Sequence, residues 1–133
     1  MIDEFIPKLQ KDLELEGGAA REHGGNFSLQ LDDTAITISD AGPGFQFFAA
    51  LGDLPGELPE LFYVKLLRAN FLHQATAGAI VGLDETASKV VLQYYYPQKS
   101  PYRDFKEHLE DFINLIDFWK AEIAAHKAAP SAN

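Results

Sequence analysis

The residues of this chain with types suited to acid–base or metal chemistry are four histidines, at positions 23, 73, 108 and 126, and twenty carboxylates. The histidines are scattered, and none stands in an H-E-x-x-H or other metal-ligand spacing, so no metal site is predicted. His73 falls near an apolar stripe of a predicted helix, where a hydrogen-bonded, partly buried imidazole outweighs a catalytic one. His108 and His126 are expected to face solvent. The acidic pairs Glu14/Glu16, Asp32/Asp33, Asp84/Glu85 and Glu110/Asp111 fall at predicted turns and on helix exteriors, without the spacing of a calcium loop, and read as solvated charge. The chain has no cysteine, which removes thiolate catalysis, disulfides and cysteine-held metal clusters. There is no G-x-S-x-G elbow, no phosphate-binding loop and no G-x-G-x-x-G, since Gly42-Pro43-Gly44 stands alone in a turn. No cofactor and no catalytic residue is predicted.

Charge narrows the partners. Twenty acidic against eleven basic side chains give a formal charge of −9. That balance repels phosphate backbones and provides no counterion release to drive direct nucleic-acid binding. The 133 residues, 47% hydrophobic and 23% charged, fit one folded domain over 1–127, with 128–133 read as a frayed tail. The opening MIDEFIPKLQKDL lacks the basic region and continuous apolar core of a signal peptide. No run reaches the roughly 18 apolar residues of a membrane span, so the expectation is a soluble protein inside the cell, without stable membrane insertion.

The elements that would position any site follow from apolar spacing. Ile2, Phe5, Ile6, Leu9 and Leu13 give a first amphipathic helix ended by Gly17-Gly18, with Pro7 expected in its first turn. Phe27, Leu29 and Leu31 alternate along a strand, Asp32-Asp33 turns it, and Ile36 with Ile38 returns. Phe45, Phe47, Ala49 and Leu51 mark a third strand with Phe48 on its opposite face. The stretch 52–59, with its glycines and prolines, is expected to be a loop feeding a second helix over 60–73. Strands over 79–83 and 89–96 follow. Ser100 and Pro101 then open a third helix whose broad face holds Phe105, Leu109, Phe112, Ile113, Ile116, Trp119 and Ile123, with Phe118 off that face. The predicted class is α+β, a five-stranded, mainly antiparallel twisted sheet with three helices in the order α-β-β-β-α-β-β-α.

Apolar surface is in excess. The second helix carries one stripe of Val64, Leu67 and Phe71 and another of Phe62, Leu66 and Ala69, well separated around its axis. Such a helix needs two covers: its own sheet and a second surface, for which a second copy of the chain is favoured over a neighbouring helix. Tyr94, Tyr95 and Tyr96 are consecutive, so a strand must turn Tyr95 away from the other two. Core packing and partner contact are both open for these rings.

The segment from Leu66 to Pro97 reads LLRANFL, then AGAIVGLDE, then KVVLQYYYP. A helix ending in an alanine-asparagine pair, a small-residue entry, a hairpin around Asp84 and Glu85 and a strand closed by proline resemble the class I type III secretion chaperones, the Tir-chaperone (CesT) family. The resemblance spans residues 5 to 123 in order of elements and includes the proline-containing lead Leu54-Pro55-Gly56-Glu57-Leu58-Pro59. The chain departs at Ala77-Gly78, where relatives often have paired glycines, and at Tyr94-Tyr95, where they often have basic residues.

What the resemblance implies is a bacterial, cytoplasmic homodimer without enzymatic activity. It would hold the N-terminal chaperone-binding segment of one or more secreted effectors in a non-globular, secretion-competent form. It would place Val64, Leu67, Phe71, Ala79 and Val81 near the two-fold axis and make Ile2, Phe5, Leu29, Phe48, Tyr94 and Tyr96 the candidate effector contacts. It leaves open, as the runner-up, a regulatory binding protein that couples secretion to transcription by binding a transcription-control protein or another chaperone, and the secretion apparatus as a further partner. An unrelated alternative is a small ligand carrier or enzyme, with a pocket between the sheet and the third helix furnished by His73 and a carboxylate.

Overall fold

The computed structural model describes residues 2–12, 19–21, 26–31, 33–54, 59–72, 79–86 and 88–128. The elements run α1 (Ile2–Asp12), β1 (Ala19–Arg21), β2 (Phe27–Leu31), β3 (Thr34–Ala41), β4 (Gly44–Asp53), α2 (Pro59–Leu72), β5 (Ile80–Leu83), β6 (Lys89–Tyr96) and α3 (Tyr102–Ala128). The α+β class, the antiparallel sheet of five expected strands and the three helices are all present. A three-residue edge strand, β1, adds to them, and the sheet order is β1-β2-β3-β4-β6-β5. Ala-Ala-Arg has no apolar alternation, which is why it left no mark in the pattern.

Strand alternation builds one buried face. The register aligns Leu29, Ile36, Ala49, Leu92 and Val81 in a row across five strands, and every one of them is buried. A neighbouring row of Phe27, Ile38, Phe47 and Tyr94 thickens that face. The intervening residues form the opposite face, where Thr37, Phe48, Gln93 and Ile80 align. A single-sided sheet of this kind keeps one face for the core and leaves the other to solvent or a partner.

All three helices contribute to the core on the buried face. α3 lays Phe105, Leu109, Phe112, Ile116, Trp119 and Ile123 into it. Phe105 meets Phe45 edge-on at 4.9 Å, and Phe112 lies 5.4 Å from Phe47. α2 contributes Phe62, whose ring meets Trp119 edge-on at 6.3 Å, and a Lys65–Glu122 ion pair crosses between α2 and α3. α1 inserts Phe5 against Phe105 at 4.9 Å. Its far end is held by the Tyr102 hydroxyl, which donates to Asp12 Oδ2 at 2.7 Å, with Lys106 3.7 Å away. That hydrogen bond and Lys106 keep the Asp12 carboxyl below its ordinary value, while burial and the same bond push the Tyr102 phenol up.

Four local expectations are corrected. Pro7 sits inside α1, past its first turn. The ring removes the donor that would meet the Asp3 carbonyl, and Pro7 itself lies on the exposed side of the helix. β4 extends through Gly52 and Asp53 into the stretch expected to be loop. It does so through a bulge between Ala50 and Gly52, where Gly52 has φ 146, a conformation that favours glycine. Ser100 donates to the Pro101 carbonyl at 3.0 Å instead of capping a helical amide, and the same carbonyl accepts the first bond of α3 from Phe105. His108, expected in solvent, is half-buried against β6. Leu13, Glu14/Glu16, Gly17-Gly18, His23, Asp32, His73, Ala77-Gly78, residues 55–58 and the tail after Ala128, for which expectations were stated, lie outside the described residues, as does the side chain of His126.

The β3–β4 hairpin turns at Gly42-Pro43 and returns at Gly44, where the backbone is packed directly on the last residues of β6. A Cβ there would collide with the Tyr96 carbonyl and the Pro97 backbone. Gly44→Ala is therefore expected to destabilise the fold by about 2 kcal/mol or more, through forced separation of β4 from β6, as read from the midpoint of urea unfolding.

Candidate functional site

Burial sorts the candidate residues into three groups. Phe5, Leu29, Ala79 and Val81 are core residues of the chain itself. As surface contacts they are corrected: Leu29 and Val81 belong to the buried row, and Ala79, at the entry to β5, is likewise covered. The run Ala-Ile-Val-Gly-Leu is apolar at almost every position, so its pattern does not reveal which parity faces inward. The register does, because Val81 opposes the buried Leu92, and the residue turned outward on β5 is Ile80.

The second group is exposed. Leu67 is 70% exposed and Val64 is 48% exposed on α2, while Phe62, Leu66 and Ala69 of the same helix are buried. The two stripes thus separate in burial, with Phe62, Leu66 and Ala69 covered by the chain's own core and Val64 and Leu67 uncovered. On the open face of the sheet, Phe48 is 38% exposed and Ile80 is 60% exposed. They lie two strands apart in one row, with Gln93 between them. Tyr95, also exposed, stands on the same face two residues along β6. Ile80 and Tyr95 are surface residues that the list of candidates missed, and strand parity from Tyr94 and Tyr96 was the available signal for Tyr95. For Ile2 and Phe71 the description reaches the helical backbone only.

The third group, Tyr94 and Tyr96, is half-buried. The structure brings both to His108 of α3. The Tyr94 hydroxyl and His108 Nδ1 share a hydrogen bond of 3.0 Å. The imidazole lies 5.4 Å from the Tyr94 ring and 4.7 Å from the Tyr96 ring, and Phe45 stacks on Tyr96 at 5.3 Å. Burial pushes the Tyr94 phenol up, and nearby Tyr96 and Asp111 add to that shift. Beside this cluster is a shallow surface recess, with a cavity volume of only about 10 Å³, lined by Tyr94, His108, Asp111, Phe112 and Leu115. Among the described residues no three His, Cys, Asp or Glu side chains are grouped to hold a metal ion. No helix there is long and apolar enough to cross a membrane.

The site is thus an uncovered apolar surface on α2 and on one sheet face, beside an aromatic recess under α3. Such surfaces can bind side chains of another polypeptide. The family model for the Tir chaperone protein (CesT) family matches residues 4–120. The chain belongs to the Tir chaperone protein (CesT) family.

Solved structures agree with this family fold. The chain is similar to a chain of the ExsC–ExsE complex, with a TM-score of 0.71 at 17% identity, covering 99% of this chain and 96% of that one. It is also similar to a chain of the HopA1–SchA chaperone–effector complex, with a TM-score of 0.67 at 19% identity over 90% and 93% of the two chains. A third likeness is to a chain of the heterodimeric ExoU–SpcU complex from the type III secretion system of Pseudomonas aeruginosa, with a TM-score of 0.62 at 19% identity over 95% and 97%. By sequence, a Chlamydia pneumoniae protein is 29% identical over 80 residues, 59% of this family member and 61% of that relative's length.

The bond between Tyr94 and His108 gives a direct test of how the recess wall is held. Tyr94→Phe retains the ring packing and removes one partly buried hydrogen bond. Stability is expected to fall by about 1 kcal/mol, measured by chemical denaturation, with the far-ultraviolet circular dichroism unchanged.

Proposed function

We propose that the chain is a cytoplasmic type III secretion chaperone that binds the N-terminal segment of one or more secreted effectors and keeps it extended and soluble, with no catalytic step. The observation that carries this reading is a filled core combined with uncovered apolar side chains at Phe48, Ile80, Val64 and Leu67. An enzyme or carrier concentrates polar groups in an enclosed pocket. Here the recess is open and the apolar residues lie outside it. The family membership and the likeness to chains from a chaperone–effector complex point the same way.

Extended segments bind such proteins by seating alternate side chains on apolar surface and by adding strands to sheet edges. Phe48, with Ile80 and Tyr95 on the same face, supplies the first kind of contact. Tyr94 and Tyr96 supply an aromatic margin on the other side of β6. Several weak contacts on one segment reinforce one another through effective concentration, although ordering that segment offsets part of the gain. The test is affinity capture from the native lysate, followed by limited proteolysis and mass spectrometry. The expected result is protection of an N-terminal segment of a secreted protein, and capture of nothing but folded, fully protected proteins would overturn the reading.

The same proposal includes a homodimer through the outer stripe of α2, Val64 and Leu67 with the backbone position of Phe71, without the buried Ala79 and Val81. Leu67 is exposed in the single chain, so Leu67→Asp leaves the fold of each copy intact while placing an uncompensated charge at the contact. Light scattering is expected to give twice the 14.7 kDa chain mass for the unaltered protein and the single-chain mass for Leu67→Asp.

A further inference from the structure

The recess differs from the other apolar surfaces in carrying a charge at its rim. His108, Asp111, Leu115 and Phe118 recur at spacings of three, four and three along α3, so they lie on one side of that helix. Asp111 is exposed, and no described cation lies within ion-pair distance of it. Three basic residues of α3 are engaged with other carboxylates: Arg103 with Glu107, Lys106 with Asp12 and Lys120 with Asp33. Tyr94, which lines the recess with Asp111 and Phe112, is held in place by its bond to His108.

A fixed aromatic wall next to an exposed carboxylate is the chemistry that selects an organic cation. The rings attract it through their π faces, and the carboxylate takes charge-assisted hydrogen bonds. A guanidinium suits this better than an ammonium, because it is planar, stacks on rings and presents paired donors to one carboxylate. Leu115 follows Asp111 by four residues, about 6 Å along the helix axis at 1.5 Å per residue, and Phe118 by about 10 Å. An extended chain advances about 6.6 Å over two residues and turns those two side chains to the same side. A cation seated at Asp111 therefore brings a side chain two positions away over Leu115, with Phe118 beyond it.

The geometry points to a subsite, formed by Asp111, Tyr94 and His108, for an arginine side chain of the bound segment, with an apolar residue two positions away resting on Leu115 and Phe118. The net charge of −9 acts in the same direction, since it favours a basic segment at encounter. This subsite rests on the reading of the chain as a binder of extended polypeptide, and it specifies one feature of the segment bound.

The test is a ¹H–¹⁵N NMR titration of the full chain with two pentapeptides, acetyl-Leu-Ser-Arg-Ser-Leu-amide and the same peptide with citrulline, the neutral isostere of arginine. The arginine peptide is expected to move the amide signals of His108, Asp111 and Leu115 and to bind at least about fivefold more tightly than the citrulline peptide. Asp111→Asn is expected to abolish that preference, and Asp117→Asn, which does not line the recess, to retain it. Equal affinities, a preference that survives Asp111→Asn, or signal changes confined to other regions would each overturn the subsite. If both pentapeptides bind equally, the chaperone reading stands without the cation subsite. If the arginine preference is found while capture from lysate yields no secreted segment, the chaperone reading fails and the subsite stands.

Discussion

The row Leu29, Ile36, Ala49, Leu92 and Val81 is the constraint on which the rest of the molecule depends, because it assigns the parity of five strands at once. A slip of one residue in any strand would move that strand's apolar set to the opposite face. Once the row is buried, Phe45 and Phe47 must meet α3, Tyr94 and Tyr96 must rise toward His108, and Phe48, Ile80 and Tyr95 must turn outward. The exposed apolar residues are thus a consequence of the same alternation that makes the core. The sheet order does not double back to cover them, and the helix contacts described lie on the buried side.

The parts of the fold carried by long, regular patterns were legible. α3 repeats apolar residues over many turns, and β3 and β4 carry apolar residues at alternate positions, so their faces could be read from residue types, whereas β6, with Val90-Val91-Leu92 and three consecutive tyrosines, does not mark its faces in this way. The two stripes of α2 were legible for the same reason, and burial separates Phe62, Leu66 and Ala69 from Val64 and Leu67 along the expected line. What failed was parity in the short apolar run Ala79 to Leu83. Period-two reasoning needs polar residues to mark the outward positions, and this run has none; only pairing with Leu92 decides that Val81 is inside and Ile80 outside. Phe5 and Leu29 failed differently. They are apolar residues on surfaces where contact is expected, and the sequence cannot show that Phe105 and Ile36 already cover them.

The His108 cluster was invisible to spacing arguments for another reason. Tyr94 and His108 are separated by 14 residues in the chain and are joined only when β6 and α3 pack. A half-buried imidazole between two tyrosines needs a partner for its ring nitrogen, and the Tyr94 hydroxyl supplies one. Because that bond joins the sheet to α3 at the rim of the recess, it orients Tyr94 as well as stabilising the packing. The polar cross-links between elements have the same distribution: Tyr102 with Asp12, Lys120 with Asp33 and Lys65 with Glu122 each join α3 to a different element. They lie at the margins of the apolar core, where exposed ion pairs contribute little energy but specify how α3 sits against its neighbours.

A rigid core with a one-sided sheet suits the binding of a segment that has no structure of its own. Such a ligand loses conformational freedom on binding, about 1–2 kcal/mol for each backbone residue fixed. A single pocket the size of the α3 recess cannot offset that loss over a long segment. Contacts spread over Phe48, Ile80, Tyr95 and the recess can, provided that the surface presenting them does not also have to be ordered. The acidic charge completes the argument. It keeps a chain with this much uncovered apolar surface from associating indiscriminately, and it leaves attraction for segments in which apolar residues are interspersed with basic ones.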